Sequence, residues 1–212
     1  MLHTSDALIL RTYSLGESDR IVVFLTRDRG KKRGVAKNAR QSRRRFGGAL
    51  EPMTCGRVTY REHERRDLVF LQDVAATRSP LAAVDENALG YVSYFAELID
   101  EWAQEADPNE TLFRLGASMT EAIAAGVPIE PLARYFEYWL LRLQGVYEVD
   151  RRLSDEAQAF LSTARSLSPF ALASVAVSRG ALRELEATHR ALIAMHLEKD
   201  LKSVRVLREM RR

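Results

Sequence analysis

Ala7-Leu8-Ile9-Leu10, Ile21-Val22-Val23-Phe24-Leu25 and Gly30-Lys31-Lys32-Arg33-Gly34-Val35-Ala36 are the segments on which the fold turns. The first two are short apolar runs with β-branched residues, separated by the turn-like Ser14-Leu15-Gly16-Glu17-Ser18-Asp19. They are apolar at every position, so they read as strands buried on both faces. A short third strand passes through Val35. Farther on, Arg57-Val58-Thr59-Tyr60-Arg61 alternates, with its polar side chains on one face and Val58 and Tyr60 on the other, and Leu68-Val69-Phe70-Leu71 supplies a fifth strand. Five short strands in under 80 residues, punctuated by glycine, predict a small closed or nearly closed barrel. The OB-fold is the commonest five-stranded type, and an SH3-like barrel is its rival.

Charge is distributed unevenly along the chain. From Lys31 to Arg45, eight of fifteen residues are basic and none is acidic: Lys31, Lys32, Arg33, Lys37, Arg40, Arg43, Arg44 and Arg45. The net charge of +3 conceals +8 over residues 1–80, −10 over 81–150 and +5 over 151–212. Such segregation speaks of partners rather than of fold. A polyanion is the partner expected for the first segment, and the acidic middle should not touch phosphates.

After Ser79-Pro80 the period becomes helical. Leu81, Val84, Leu89, Val92, Phe95, Leu98, Ile99 and Trp102 predict one helix. Asp107 as N-cap, Pro108 at the first position and Glu110 predict the start of a second, stopped by Gly126 and Pro128. A third begins near Pro131 and ends at Gly145, carrying an aromatic stripe that reads as core. Shorter helices follow from Ser154, with Ser168-Pro169 as a cap and first position, then a longer one over about 181–199. The expected architecture is α+β, a barrel over residues 1–79 and a helical domain over 80–212, with an acidic core at 81–150 and basic helices at 151–212.

The chain lacks a G-x-x-x-x-G-K-[ST] phosphate loop, a G-x-G-x-x-G turn, a G-x-S-x-G elbow and an H-E-x-x-H helix. His189 and His196 stand two turns apart on their helix, and Glu186 with His189 lacks further ligands, so no metal or other cofactor is expected. The single cysteine, Cys55, allows no internal disulfide. No apolar run reaches the ~20 residues of a membrane span, and a cytoplasmic protein without membrane contact is expected. Nothing argues for an enzyme; binding remains.

A single-strand groove making about five phosphate contacts should show a log-log salt slope near −3.5. The basic stretch is poor in apolar anchors, which predicts that residues 38–48 stay mobile until nucleic acid arrives. Phe46 either stacks on a base or plugs the barrel under the loop. Lys199, Lys202, Arg205, Arg208, Arg211 and Arg212 form a second basic face, which could extend the DNA surface, dock on the acidic middle, or be a solvated helix end.

These residues resemble a family. Ala7-Leu8-Ile9-Leu10-Arg11, Gly16-Glu17-Ser18-Asp19-Arg20, Leu25-Thr26-Arg27-Asp28-Arg29-Gly30, Gly34-Val35-Ala36-Lys37-Asn38-Ala39-Arg40 and Gly48-Ala49-Leu50-Glu51-Pro52 resemble, in order and spacing, the N-terminal domain of the bacterial RecO recombination mediators. Leu201-Lys202-Ser203, Arg205 and Leu207 look like that family's C-terminal signature, so the resemblance spans nearly the whole chain. It implies an N-terminal OB-fold, a helical C-terminal domain, binding to single- and double-stranded DNA, and annealing of complementary strands in RecF-pathway repair. With RecR it implies help in loading RecA onto strands covered by single-stranded DNA-binding protein. Lys37 and Arg40 match the family's basic positions, whereas Arg43, Arg44 and Arg45 rest on charge alone.

Many RecO-like proteins carry a four-cysteine zinc finger after the helix that ends here near Gly145. In this chain Gly145-Val146-Tyr147-Glu148-Val149-Asp150-Arg151-Arg152 contains no cysteine, so zinc is not expected. The family's helical domain can also bind the acidic, apolar tail of single-stranded DNA-binding protein. Arg134, Tyr135, Tyr138, Trp139 and Arg142 are the candidates for that pocket, as an apolar floor with cations at its rim. The expected DNA-contacting set is the eight basic residues with Phe46, Lys202 and Arg205. The rivals are an RNA-binding OB protein of the translation apparatus and an interaction protein whose basic loop docks on an acidic protein.

Overall fold

A computed structural model describes residues 1–42, 44–63, 67–82, 86–148, 153–199 and 201–210. Five strands, β1 (Leu2–Leu15), β2 (Asp19–Thr26), β3 (Gly30–Ala36), β4 (Cys55–Arg61) and β5 (Val69–Arg78), pair in the cyclic order β1-β2-β3-β5-β4, and β4 returns to β1 to close a barrel. Only the β3–β5 pairing is parallel; the other four are antiparallel. This is the five-stranded OB-type arrangement expected from the sequence.

The apolar runs owe their unbroken character to two cores that share β1 and β2. Ala7, Ile9, Val22 and Phe24 face the barrel interior with Val58, Tyr60, Leu71 and Val74. Leu8, Leu10, Val23 and Leu25 face outward and are covered by helices, in one cluster with Phe95, Ile99, Leu112 and Phe136. Alternation on a strand whose two faces are both buried leaves no polar position.

The helices are α1 (Glu86–Trp102), α2 (Glu110–Ala124), α3 (Ile129–Leu143), α4 (Asp155–Ala164), α5 (Arg179–Leu197) and α6 (Lys202–Met210). Helix α2 lies so close to β1 that a Cβ on Gly116 would stand 2.5 Å from Leu8 Cδ2 and 2.9 Å from Ile99 Cδ1. Gly30 combines a φ of +68° with a site where the Asp107 backbone leaves no room for a side chain. Among the described residues no helix is long and apolar enough to cross a membrane.

Several boundaries differ from expectation. The N-cap of α2 is Asn109, whose side chain accepts from the Leu112 N–H, because the chain through Asp107 is held extended beside β3, where Lys31 bridges Glu105. Leu81 lies in a 3-10 turn (Pro80–Ala82) ahead of α1, Val84 lies outside the described residues, and Leu89 is 42% exposed rather than in the core. Ser168-Pro169 opens a 3-10 segment, Pro169–Ser174, without a side-chain cap bond. Ser154 and Ser178 cap α4 and α5 through Ala157 and Ala181.

Helix α6 is docked on the acidic middle. The carboxylate of Glu97 on α1 accepts from the Lys202 N–H at 3.1 Å, and from the Ser203 N–H at 2.8 Å and its hydroxyl at 2.5 Å, so it caps the start of α6. Lys199 pairs with Glu101, and Leu201 and Leu207 are buried in the helical core.

Candidate nucleic-acid interface

The basic stretch begins as strand β3, and strand alternation divides its side chains. Gly34 and Ala36 point inward; Arg33 and Val35 point outward. The stretch differs from one end to the other. Lys31 lies against α1, its ammonium donating to the Asp100 carbonyl at 2.6 Å and carboxylate at 3.2 Å. Arg11 reaches the same carboxylate at 3.1 Å. Lys32 pairs with Glu62 at 2.7 Å, and its hydrogen bond holds the Glu62 carboxyl below the usual range. Two of the predicted DNA contacts are therefore already neutralised by acids of the chain.

Arg33, Lys37, Arg40 and Arg44 are exposed and make no ion pair among the described residues. Arg43 lies outside the described residues. Arg45 is half-buried; its guanidinium donates to Ser42 Oγ at 3.0 Å and to the Lys37 carbonyl at 2.8 Å, and sits 5.0 Å from the Phe46 ring centroid. It positions the loop more than it offers charge.

The loop after β3 is anchored, contrary to the expectation of a segment without anchors. Ala39, Phe46, Ala49 and Leu50 are buried in the barrel core. Asn38 N–H donates to Asp19 Oδ1 at 2.8 Å, Arg40 N–H to the Ser18 carbonyl at 3.1 Å, and the Arg40 guanidinium to Ser14 Oγ at 2.6 Å and the Glu17 carbonyl at 3.2 Å. The loop is thus tied to the β1–β2 turn, with Arg20 and Arg40 lining a cleft of about 330 Å³ beside Gly47, Gly48 and Glu51. At 2% exposure Phe46 is the plug of the barrel; the stacking role fails because no face of its ring is open.

Two outward residues, Phe70 and Arg61, were not assigned to the interface by sequence reading, although Arg61 was placed on the polar face of its strand. Phe70 on β5 lies in register with Val35 on β3 and with Arg61 on β4. Its neighbours Val69 and Leu71 are buried inward, so Phe70 points out, half-buried, with the Lys37 ammonium 5.8 Å from its ring centroid. Arg61 is exposed and unpaired with any acid among the described residues. The signal was the parity of Leu68-Val69-Phe70-Leu71: an apolar run hides which aromatic faces out.

The remaining candidates fall elsewhere. Lys202 and Arg205 are exposed on α6, away from the β3 cluster, and Arg205 approaches Glu209 only at 3.9 Å. Arg134 is not a rim cation. It is 3% exposed and bound to Glu137 at 2.8 Å and Glu186 at 3.4 Å, because Glu137 also accepts from Tyr94 at 2.9 Å and meets His189 at 3.1 Å in a buried network. Burial and then the Glu137 charge raise the Tyr94 hydroxyl well above its ordinary range. Tyr135 and Tyr138 are also buried, and Trp139 donates to the Ala164 carbonyl at 3.3 Å. Arg142 does sit at a rim, 5.7 Å from the Tyr138 and Trp139 rings, over a cavity of about 450 Å³ lined also by Tyr147, Leu153, Leu161 and Arg165.

Residues 1–80 match the family described as recombination protein O N terminal, and residues 84–150 match recombination protein O C terminal. The chain is 42% identical over 146 residues to "DNA repair protein RecO" of Koribacter versatilis, which covers 68% of this chain and 59% of that relative. It is 40% identical over 140 residues to the protein of that name from Anaeromyxobacter sp. strain K, covering 66% and 55%, and 37% identical over 142 residues to that from Geobacter metallireducens, covering 66% and 57%. The chain spans less than two thirds of the length of these curated relatives, and the segment Leu201-Lys202-Ser203 lies beyond both family matches. With a five-stranded barrel followed by helices in the order of its two matched parts, the chain belongs to the RecO family.

Proposed function

We propose that this chain is a DNA-binding mediator of recombination and repair, acting by holding strands rather than by covalent chemistry. The observation that carries this reading is the run of exposed cations on the barrel: Arg33 at the outward face of β3 and Lys37, Arg40 and Arg44 in the loop that follows make no ion pair among the described residues. Four such charges that repel one another on a rigid scaffold are compensated by phosphates. Four contacts to a single strand give a log-log salt slope of about −2.8. Residues 1–79 form the binding module, and residues 80–212 the helical module that covers its other side.

The finer parts of this reading follow the family. Strand annealing, work with RecR, and RecA loading on coated strands are assigned to this chain through its membership, in the cytoplasm at the nucleoid. For the acidic, apolar tail of single-stranded DNA-binding protein, the cavity under Arg142 replaces the set centred on Arg134. Arg142 and Arg165 offer the cations, and Tyr138, Leu153 and Leu161 the floor.

The test replaces Arg33, Lys37, Arg40 and Arg44 together with alanine. Single-strand affinity should fall about a hundredfold at low salt, with a flatter salt slope and slower annealing of complementary strands coated with single-stranded DNA-binding protein. Unchanged affinity and annealing would remove the assigned DNA site. Competition with RNA of equal length separates the DNA reading from an RNA-binding one.

A further inference from the structure

On its uncovered strands the outer surface of the barrel follows a rule, polar residues outward, with two adjoining large apolar exceptions, Val35 and Phe70. Where helices cover it, on β1 and β2, the outward residues Leu8, Leu10, Val23 and Leu25 are apolar and buried. Where no helix covers it, on β3 and β4, the outward residues include the exposed Arg33, Arg57 and Arg61. Phe70 breaks the rule. It belongs to neither hydrophobic cluster, yet it sits at the centre of the uncovered face, between Val35 and Arg61 across the strands.

The ring is half-buried, the half-buried Val35 lies on one side of it, and the exposed cations Lys37 and Arg61 stand around it. The Lys37 ammonium lies over the ring, 5.8 Å from its centroid, so this face of the ring is reached by a cation. Lys37 is a flexible, exposed side chain, so it can swing from the ring to a phosphate when a base arrives. An aromatic face bordered by cations is the arrangement that binds single strands, since each base has a π face and each nucleotide a phosphate. Bases within a duplex are already stacked and cannot reach it.

Resting on the DNA-binding reading above, we propose that Phe70 is a stacking platform for an unpaired base, with Lys37 and Arg61 holding the flanking phosphates. It makes the barrel face selective for single strands over duplex, which charge alone does not.

The experiment uses the full chain and three probes: a polythymidine oligonucleotide, an abasic strand with the same number of phosphates, and a duplex. Phe70→Leu should bind polythymidine about tenfold more weakly. Its affinity for the abasic strand and the duplex, and its salt slope, should match the unsubstituted protein, and Phe70→Trp should retain polythymidine affinity. The proposal is overturned if Phe70→Leu binds polythymidine normally, if it loses equally on all three probes, or if Phe70→Trp is as weak as Phe70→Leu. The four-cation variant is titrated in parallel. Loss there with normal binding by Phe70→Leu rejects the platform alone, and no loss in either rejects the DNA site with it.

Discussion

The two ends of the basic stretch use the same residue types for opposite purposes. At the helix-facing end, Lys31 and Lys32 are partly buried and satisfied by Asp100 and Glu62. There the positive charge joins barrel to helices and closes the loop after β4. At the open end, Arg33, Lys37, Arg40 and Arg44 are exposed and make no ion pair among the described residues. The difference teaches that a run of like charge is not one site: its neighbours in space decide which members are structural. Arg134 is the extreme of the first kind, a guanidinium sealed in the helical core with Glu137 and Glu186.

This contrast can be broken from either side. The largest effect belongs to Arg134→Ala, which leaves Glu137 buried without its principal countercharge. Stability measured by denaturant unfolding should fall by about 3–5 kcal/mol. Next comes the four-cation variant, whose roughly hundredfold loss of single-strand affinity should be accompanied by only a small fall in thermal midpoint, from the two lost Arg40 bonds to Ser14 and Glu17. Lys31→Met inverts that result. It should cost about 1–3 kcal/mol of stability through the lost bonds to Asp100, while DNA affinity stays within about twofold. If Lys31→Met weakened DNA binding as much as the open-end variant, the division of the stretch would be wrong.

Smaller effects appear as pH dependence. Burial pushes the Cys55 thiol from 9.0 to about 11 and the Tyr60 hydroxyl from 10.0 to about 12. Both groups are held neutral by the fold, so the unfolded chain loses these protons first. Their contribution is complete below about pH 9 and is lost as pH rises toward the folded values. Stability should therefore be flat from neutrality to about pH 9 and decline above it, and Cys55 should be alkylated slowly at pH 8. Glu62 works in the opposite direction. Held low by Lys32, it stabilises above its ordinary carboxyl range and loses that contribution as pH falls, by less than about 1 kcal/mol because its side chain is a third exposed. Lys32→Met should remove that acid-side dependence in urea titrations from pH 3 to 6.

Legibility in the sequence followed the range of the interactions. The double-sided burial of Ala7, Leu8, Ile9 and Leu10 was readable because only a strand covered on both faces omits polar residues. Ser154 was readable as the start of a helix because a cap bond closes within three residues, whereas the Ser178 cap was not read and α5 was begun near residue 181. The α2 cap was misplaced from Asn109 to Asp107 because residue 107 is claimed by a distant neighbour, Gly30. Phe46 and Phe70 show the same limit more sharply. Phe46 was left open between stacking and plugging and is buried, whereas Phe70 lay unassigned within an apolar run and faces out.

By itself the sequence determined what is periodic or compositional: five strands, the switch to helices after Pro80, the segregated charge, and a family pattern carried by short motifs. Those depend on residues close along the chain. Tertiary structure alone decided which cations are spent on Asp100 and Glu62, where α6 docks, that Arg134 is internal, and which aromatic ring meets solvent. Each of these depends on groups dozens of residues apart, such as Lys31 and Asp100 or Glu97 and Ser203, whose meeting is fixed by closure of the barrel and the packing of helices on it.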